Sequence, residues 1–178
     1  FVLNEFKFSA KDLLIDSISS INKDIMNFLS IDCSMYEGSL FIKTQNKTFK
    51  KVLQSDKSSI DLLMNHILDF FKENLVKFED LSYIFVNQGP GNFSGLRGSL
   101  ATAKGISISK NLRLFGYNTL LWSCTKFFNQ QNSIFSFIKF REIYFVQEFD
   151  ISLKKISELR KIDKSEIMKK FSNKFKVV

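Results

Sequence analysis

The chemically most informative part of the sequence is a glycine-rich run. Four of the seven glycines and the only proline fall in Gln88-Gly-Pro-Gly-Asn-Phe-Ser-Gly-Leu-Arg-Gly98. A turn of this composition before a helix leaves backbone N–H groups at the positive end of the helix dipole, where anions bind. The run therefore has a chemical interpretation, a phosphate cradle. It also has a structural one, in which glycines permit positive φ and close packing of the next helix.

The spacing of the run favours the structural interpretation. It is not G-x-x-x-x-G-K-[ST], and it is not G-x-G-x-x-G because the glycine after Gly91 is Gly95. The segment that follows is unusually rich in small residues: Gly98, Ser99, Ala101, Thr102, Ala103, Gly105 and Ser107. We therefore expect close helix packing, inside the domain or against a partner, rather than phosphate binding.

The elements around the run are a strand and a helix. Residues 81–87 have the β-branched and aromatic content of a buried strand. After the run, apolar residues recur at helical spacing: Leu96, Leu100, Ala103 and Ile106. Asn92 or Ser94 is the expected N-cap. The structural turn is predicted to comprise Gly89, Pro90, Gly91, Asn92, Ser94 and Gly95.

Other residues with chemical potential are few. Asp32 ends a predicted strand, where it could hold a metal-bound water or contact phosphate. Because no second acidic residue stands in a matching motif, we favour a turn role, in which Asp32 accepts hydrogen bonds from nearby backbone N–H groups. The single histidine, His66, and the two cysteines, Cys33 and Cys124, are too few for a zinc site or a disulfide scaffold. We predict no catalytic residue, no metal and no cofactor.

Length and composition set the class of protein. The 178 residues are 44% hydrophobic and 25% charged, which is typical of one globular domain or two small lobes. No stretch is long and apolar enough for a membrane span, and no signal-peptide pattern opens the chain, so a cytoplasmic protein without membrane contact is expected. The net charge of +8 suggests nucleic-acid binding. However, residues 139–178 carry 11 Lys/Arg against 6 Asp/Glu, so most of the excess is C-terminal.

The glycine-rich run also carries a family resemblance. Residues 88–97, continued by Leu100-Ala-Thr-Ala-Lys-Gly105, resemble the G-P-G-S-F-T-G-L-R…L-A-x-A-K-G signature of the TsaB (YeaZ) family, glycoprotease-like proteins of bacterial tRNA threonylcarbamoyladenosine synthesis. Residues 26–34 are similar to the opening strand of the family, and residues 38–42 would form the second strand of a hairpin. Residues 138–144 resemble a later strand. The likeness covers roughly residues 26–149.

The resemblance implies an α/β fold of the actin-like, ribonuclease H type. It also implies a non-catalytic subunit that forms a heterodimer with the catalytic relative TsaD and activates it, in a system completed by TsaE. The chain would pair with itself when alone and would meet tRNA only indirectly. In TsaD-like proteins two metal-binding histidines follow the strand after the glycine-rich helix. Thr119 and Ser123 stand in the corresponding places here, so that metal site is not expected.

The resemblance also suggests a domain organisation. Residues 1–25 precede the family-like start and are an extension or upstream sequence. Residues 26–119 correspond to a complete first lobe, and residues 120–178 to a reduced second lobe. We expect residues 151–178 to form a basic, mainly helical tail, because no glycine or proline is present there to build strand turns.

A second helix is predicted at residues 58–72, with Ser58 or Ser59 as N-cap. One stripe of this helix is the expected core face: Ile60, Leu63, Ile67 and Phe70 or Phe71. Leu62, Met64 and Leu68 extend the apolar surface beyond that stripe, which indicates burial either inside the domain or against a partner helix.

In TsaB-like proteins this helix and the glycine-rich helix are the surfaces implied in pairing with TsaD. The predicted partner interface is Leu62, Leu63, His66, Gly95, Leu96, Arg97, Leu100 and Lys104. Arg97 and Lys104 lie on nearly the same helical face, where they either pair with carboxylates or remain solvated.

Two other classes of function remain open on the sequence. One is an actin-like ATPase, a kinase or a peptidase, against which stand the single histidine and the lack of any glycine after Gly116. The other is an RNA-binding module, which the basic C-terminal segment favours and the lack of an RNA-recognition motif opposes.

Overall fold

The computed structural model describes residues 26–53, 61–127, 133–140 and 142–171. The chain divides between Thr119 and Leu120, with residues 22–119 in one compact unit and residues 120–178 in the other. We call these the first and second units. In the described ranges, no helix combines the length and apolarity needed to cross a membrane.

The described residues of the first unit form a five-stranded sheet and two α-helices. Its elements are β1 (Phe28–Asp32), β2 (Gly38–Lys43), β3 (Thr48–Leu53), α1 (Leu63–Glu73), β4 (Tyr83–Asn87), α2 (Phe93–Lys110) and β5 (Arg113–Tyr117). The strand order is β3-β2-β1-β4-β5. β1 pairs antiparallel with β2 and parallel with β4, and β4 pairs parallel with β5.

The core of the first unit lies between the sheet and the two helices. Strand residues such as Leu29, Ile31 and Ile84 are fully buried there, and α1 contributes Leu63 and Ile67. The opposite face of the sheet carries aromatic rings, with Phe28 packed edge-on against Phe85 and Phe85 stacked on Phe115. Because β1 and β4 have apolar side chains on both faces, they form the centre of the sheet.

The second unit contains a three-stranded antiparallel sheet. Its elements are α3 (Thr119–Cys124), which begins at the last residue of the first unit, β6 (Ser133–Phe140), β7 (Ile143–Asp150), β8 (Arg160–Ile162) and α4 (Lys164–Phe171), with strand order β6-β7-β8. Leu120 and Cys124 of α3 pack against Ile138 and Phe149. This small core joins α3 to one face of the sheet.

Two predictions for the second unit are wrong. Residues 138–144 are not one strand: β6 ends at Phe140 and β7 begins at Ile143, so the segment spans a hairpin turn. In the described part of the segment after Ile151, the prediction of a mainly helical structure fails, because only Lys164–Phe171 is helical and Arg160–Ile162 forms β8, which pairs with β7. The turn between them needs no glycine, since Asp150 Oδ1 accepts hydrogen bonds from the N–H groups of Ser152 and Lys154.

Candidate functional site

The glycine-rich turn joins β4 to α2, as the sequence predicts. Gly89 has a φ of 92°, in the left-handed region that favours glycine. Its N–H donates to Asn87 Oδ1 at 2.8 Å, and its carbonyl accepts from the Thr119 N–H at 2.9 Å. Leu96 packs its side chain over Gly89 from the first turn of α2. These interactions fix the path of the chain from strand to helix.

The turn also brings α2 into backbone contact with the end of β1. The Asn92 N–H donates to the Ser34 carbonyl at 2.6 Å. A Cβ atom at Gly91 would collide with that carbonyl, and one at Gly95 would collide with the carbonyl of Cys33. Because two of the turn's N–H groups bond within the protein and its glycines serve close approach, the structure favours the packing interpretation over the phosphate cradle.

A network of buried hydrogen bonds, centred on Asn87, connects the glycine-rich turn to the rest of the first unit. Asn87 is fully buried, and its Nδ2 donates to Asp32 Oδ2 at 3.1 Å and to Ser34 Oγ at 3.0 Å. Its Oδ1 also accepts from Thr119 Oγ1 at 2.9 Å. The network therefore ties the ends of β1 and β4 and the start of α3 around one amide.

Asp32 has the turn role that the sequence favours. Its Oδ1 accepts from the Ser34 N–H at 2.9 Å and from Ser34 Oγ at 2.7 Å. Burial raises the pKa of the nearby Tyr117 phenol well above its ordinary value, and the negative charge of Asp32 raises it further. Asp32 therefore accepts hydrogen bonds that hold the turn after β1.

The N-cap of α2 is Asn92, one of the two predicted residues, but its side chain makes no capping bond.

The four buried positions of α2 are the core side of the helix: Gly95, Ser99, Ala103 and Ile106. The prediction that Gly95 lies in the partner interface is wrong. Gly95 packs against Cys33 instead, so we leave it out of the interface.

The opposite side of α2 forms a solvent-facing apolar and cationic surface. We call the five residues of this surface the outward face: Phe93, Arg97, Leu100, Lys104 and Ile108. Their spacing of four, three, four and four places them within about one quarter to one third of the helix circumference. Phe93 is 68% exposed and Ile108 is 80% exposed. Arg97 lies 5.2 Å over the Phe93 ring, so a cation and an aromatic side chain are presented together.

The helix α1 begins at Leu63, and the predicted caps Ser58 and Ser59 lie outside the described residues. Ile60 of the predicted core face also lies outside the described residues, and the rest of that face is confirmed, because Leu63, Ile67, Phe70 and Phe71 are buried. Leu63 is only 1% exposed and therefore belongs to the core, which corrects its predicted place in the interface.

Leu62, Met64 and Leu68 are exposed, but they flank the buried stripe of α1 on two sides. Leu62 shares one flank with half-buried His66, four residues on, while Met64 and Leu68 share the other. α1 packs beside α2 in the first unit.

Of the predicted interface, Leu62, Arg97, Leu100 and Lys104 are exposed, whereas His66 and Leu96 are half-buried.

Sequence reasoning missed Asn87, Phe93 and Ile108. The network around Asn87 joins residues more than 30 positions apart, so no local pattern signals it. Phe93 and Ile108 are at helical spacing from Leu100, and that pattern could have revealed the outward face. Among the described residues, no group of three or more His, Cys, Asp or Glu side chains is placed to hold a metal ion.

The chain is similar to proteins of one tRNA-modification system. Residues 53–136 match the model of the TsaD family, described as tRNA N6-adenosine threonylcarbamoyltransferase. The tRNA threonylcarbamoyladenosine biosynthesis protein TsaB of Buchnera aphidicola subsp. Baizongia pistaciae is 31% identical over 88 residues, which are 49% of this chain and 40% of that protein. TsaB of Buchnera aphidicola subsp. Acyrthosiphon pisum is 33% identical over 69 residues, 36% of this chain and 31% of that protein.

The solved structure of YeaZ from Pseudomonas aeruginosa superimposes with a TM-score of 0.65 at 14% identity, covering 78% of this chain and 68% of that chain. The predicted resemblance to TsaB (YeaZ) is therefore confirmed, and so is the actin-like α/β fold. The sequence match spans less than half the length of the curated relatives.

Proposed function

We propose that this chain is a non-catalytic partner subunit. It binds a TsaD-type threonylcarbamoyltransferase and activates it for threonylcarbamoyl transfer to the tRNA adenosine next to the anticodon. TsaE joins through that complex, and the chain pairs with itself when TsaD is absent. The names of the curated relatives support the pathway, and the outward face of α2 supports the partner role.

The observation that carries this proposal is the exposure of Phe93, Leu100 and Ile108 on one face of α2. Apolar side chains at helical spacing that stay in solvent cost free energy, and a partner surface that covers them recovers roughly 25 cal/mol for each Å² of apolar area buried. A partner helix laid against such a stripe is a common recognition mode.

The charges on the same face limit the kind of partner that fits. Arg97 and Lys104 are exposed beside the apolar residues, so a matching surface carries apolar side chains with carboxylates at its rim. Gly105 lies beside this face, and a Cβ atom at this position would meet no other part of the described protein, which leaves room for close approach of a partner backbone.

The test is co-expression of this chain with TsaD from the same organism, followed by size-exclusion chromatography with mass measurement. Wild-type chain is expected to co-elute with TsaD and to raise threonylcarbamoyl transfer above that of TsaD alone. Leu100→Asp is expected to abolish co-elution, and Leu62→Asp tests the flank of α1 that carries Leu62 and His66. Circular dichroism establishes that both variants fold.

Independent elution of folded wild-type chain would overturn the partner role. Threonylcarbamoyl transfer by the chain without TsaD would overturn the non-catalytic role.

A further inference from the structure

The positive charge of the protein is concentrated in its second unit. Residues 1–138 carry 15 Lys/Arg against 12 Asp/Glu, whereas residues 139–178 carry 11 against 6. A bias towards lysine in the composition of the whole chain would raise the positive charge everywhere. It does not explain this difference, because the positive and negative charges of residues 1–138 are nearly balanced. The excess therefore belongs to a particular part of the structure.

Four of these cations lie along one edge of the second sheet. β8 is an edge strand in the order β6-β7-β8. Lys155 forms a bridge opposite Phe149, Arg160 pairs with Val146, and Lys161 pairs with Phe145. Lys154 adjoins Lys155 in the preceding turn, and its N–H is held by Asp150. We call Lys154, Lys155, Arg160 and Lys161 the cationic edge.

The β7 register sets the length of this edge. From Phe145 to Phe149 is four residues, so the cations opposite them span about 13 Å at the rise of an extended strand. All four side chains are exposed. The pairing with β7 therefore fixes the positions of these charges along the edge: Lys155 and Lys161 lie opposite residues of one sheet face, and Arg160 lies opposite Val146 of the other.

Little of this charge is neutralised within the described part of the protein. Lys155 pairs with Glu158 at 2.8 Å. Lys154, Arg160 and Lys161 form no ion pair with any described residue, and Lys161 lies 6.0 Å over the Phe145 ring. Exposed cations spaced along one strand edge can neutralise successive phosphates of a nucleic-acid backbone, and the pairing of Lys155 with Glu158 leaves Lys154, Arg160 and Lys161 for that role.

We propose that the cationic edge binds the phosphate backbone of RNA. This inference rests on the proposed function, in which the partner enzyme modifies a tRNA, and it gives the second unit a direct RNA contact. The sequence resemblance implies only indirect contact with tRNA. Protein groups that bind phosphates position an RNA without reading its sequence, so the expected binding is salt-dependent and tolerant of RNA sequence.

An alternative role for charged residues on an edge strand is to prevent edge-to-edge pairing. Charge reversal separates the two roles, because Arg160→Glu/Lys161→Glu keeps the edge charged but repels phosphate. Lys47→Glu/Lys77→Glu is the matched control, since both lysines are exposed in the first unit and the net charge changes equally.

The test measures binding of a fluorescein-labelled tRNA transcript to the full chain by fluorescence anisotropy over a range of salt concentrations. Wild type and the control variant are expected to bind with the same steep salt dependence. The edge variant is expected to bind about tenfold or more weakly. A plot of the logarithm of the binding constant against the logarithm of the salt concentration has a negative slope. For the edge variant the magnitude of this slope should be smaller by about two, one for each phosphate that the variant no longer neutralises.

Absence of salt-dependent tRNA binding by wild type would overturn the inference, and so would equally weakened binding in the two double variants. Binding to vesicles containing phosphatidylserine with no binding to tRNA would also overturn it. The edge variant is expected to co-elute with TsaD as wild type does. If tRNA binding depends on the edge but the chain never co-elutes with TsaD, the proposed function fails and the RNA-binding role of the edge stands.

Discussion

The side-chain oxygen of Asn87 accepts a hydrogen bond from the backbone N–H of Gly89 at 2.8 Å, at the point where β4 ends and the glycine-rich turn begins. The other side of the same amide donates to Asp32 and Ser34 at the end of β1. One buried side chain therefore sets the path into α2. The outward face of that helix depends on this connection for its placement.

Replacing Asn87 by alanine is expected to destabilise the protein by about 2–4 kcal/mol, because buried donors and acceptors of Gly89, Thr119 and Asp32 lose their partner. Urea unfolding measures the decrease in stability. Asn92→Ala is the control. Its side chain makes no capping bond, so we expect a change below about 0.5 kcal/mol. Equal destabilisation in the two variants would contradict the role given to Asn87.

Replacing two glycines of α2 by alanine is expected to change the stability of the protein in opposite directions. Gly95→Ala places a Cβ against the Cys33 carbonyl and should destabilise by more than about 2 kcal/mol. At Gly105 the structure shows open space around a helical residue, and Gly105→Ala should stabilise by about 0.5–1 kcal/mol. Thermal unfolding of both variants provides the comparison. A tolerated alanine at position 95 would show that α2 does not approach β1 as described.

The helix α4 is expected to fray in acid. The Ser165 hydroxyl and then the Glu166 N–H donate to Asp163, and both lower the pKa of that carboxyl below its ordinary value. Because the folded pKa is the lower one, the stabilisation is complete above the unfolded pKa, about 4, and is lost as pH falls through the folded value. NMR titration should give an Asp163 pKa below that of an exposed aspartate, and Ser165→Ala should move it upward. An unshifted pKa would contradict the two hydrogen bonds that Ser165 and Glu166 donate to the Asp163 carboxylate.

The thiol of Cys124 is expected to be unreactive in the folded protein. Burial raises its pKa to about 12, a shift that a hydrogen bond with Ser136 partly opposes. At pH 8 the thiolate fraction is then roughly a thousandfold below that of a free cysteine. Iodoacetamide should label Cys124 only after denaturation, as mass spectrometry of peptides can establish. Rapid labelling of native protein would place Cys124 outside the α3 core.

The parts of the fold that the sequence predicts are those specified by local patterns. The strand β4, the glycine-rich turn and α2 follow from β-branched residues, glycines and helical spacing that lie within 30 residues. The core face of α1 follows from the same periodicity.

The parts that the sequence does not predict depend on distant or unusual interactions. The strand β8 escapes prediction because its turn uses the Asp150 carboxylate and Leu153 at a φ of 60° in place of glycine. The Asn87 network joins three distant segments, and an asparagine after a strand has no signature of its own. The interface predictions for Leu63 and Gly95 are wrong because position on a helix alone does not reveal burial by neighbouring elements.

The most direct test of the partner role is the affinity of the purified full chain for purified TsaD, measured by isothermal titration calorimetry. Ile108→Asp changes an outward-face residue that is 80% exposed, so the variant should fold as wild type does. Val52→Asp, at a 50% exposed position of β3, is the matched control. Ile108→Asp is expected to weaken binding about a hundredfold or more, whereas Val52→Asp is expected to bind as wild type does. Wild-type affinity in Ile108→Asp, or equally weakened binding in the two variants, would contradict docking through α2.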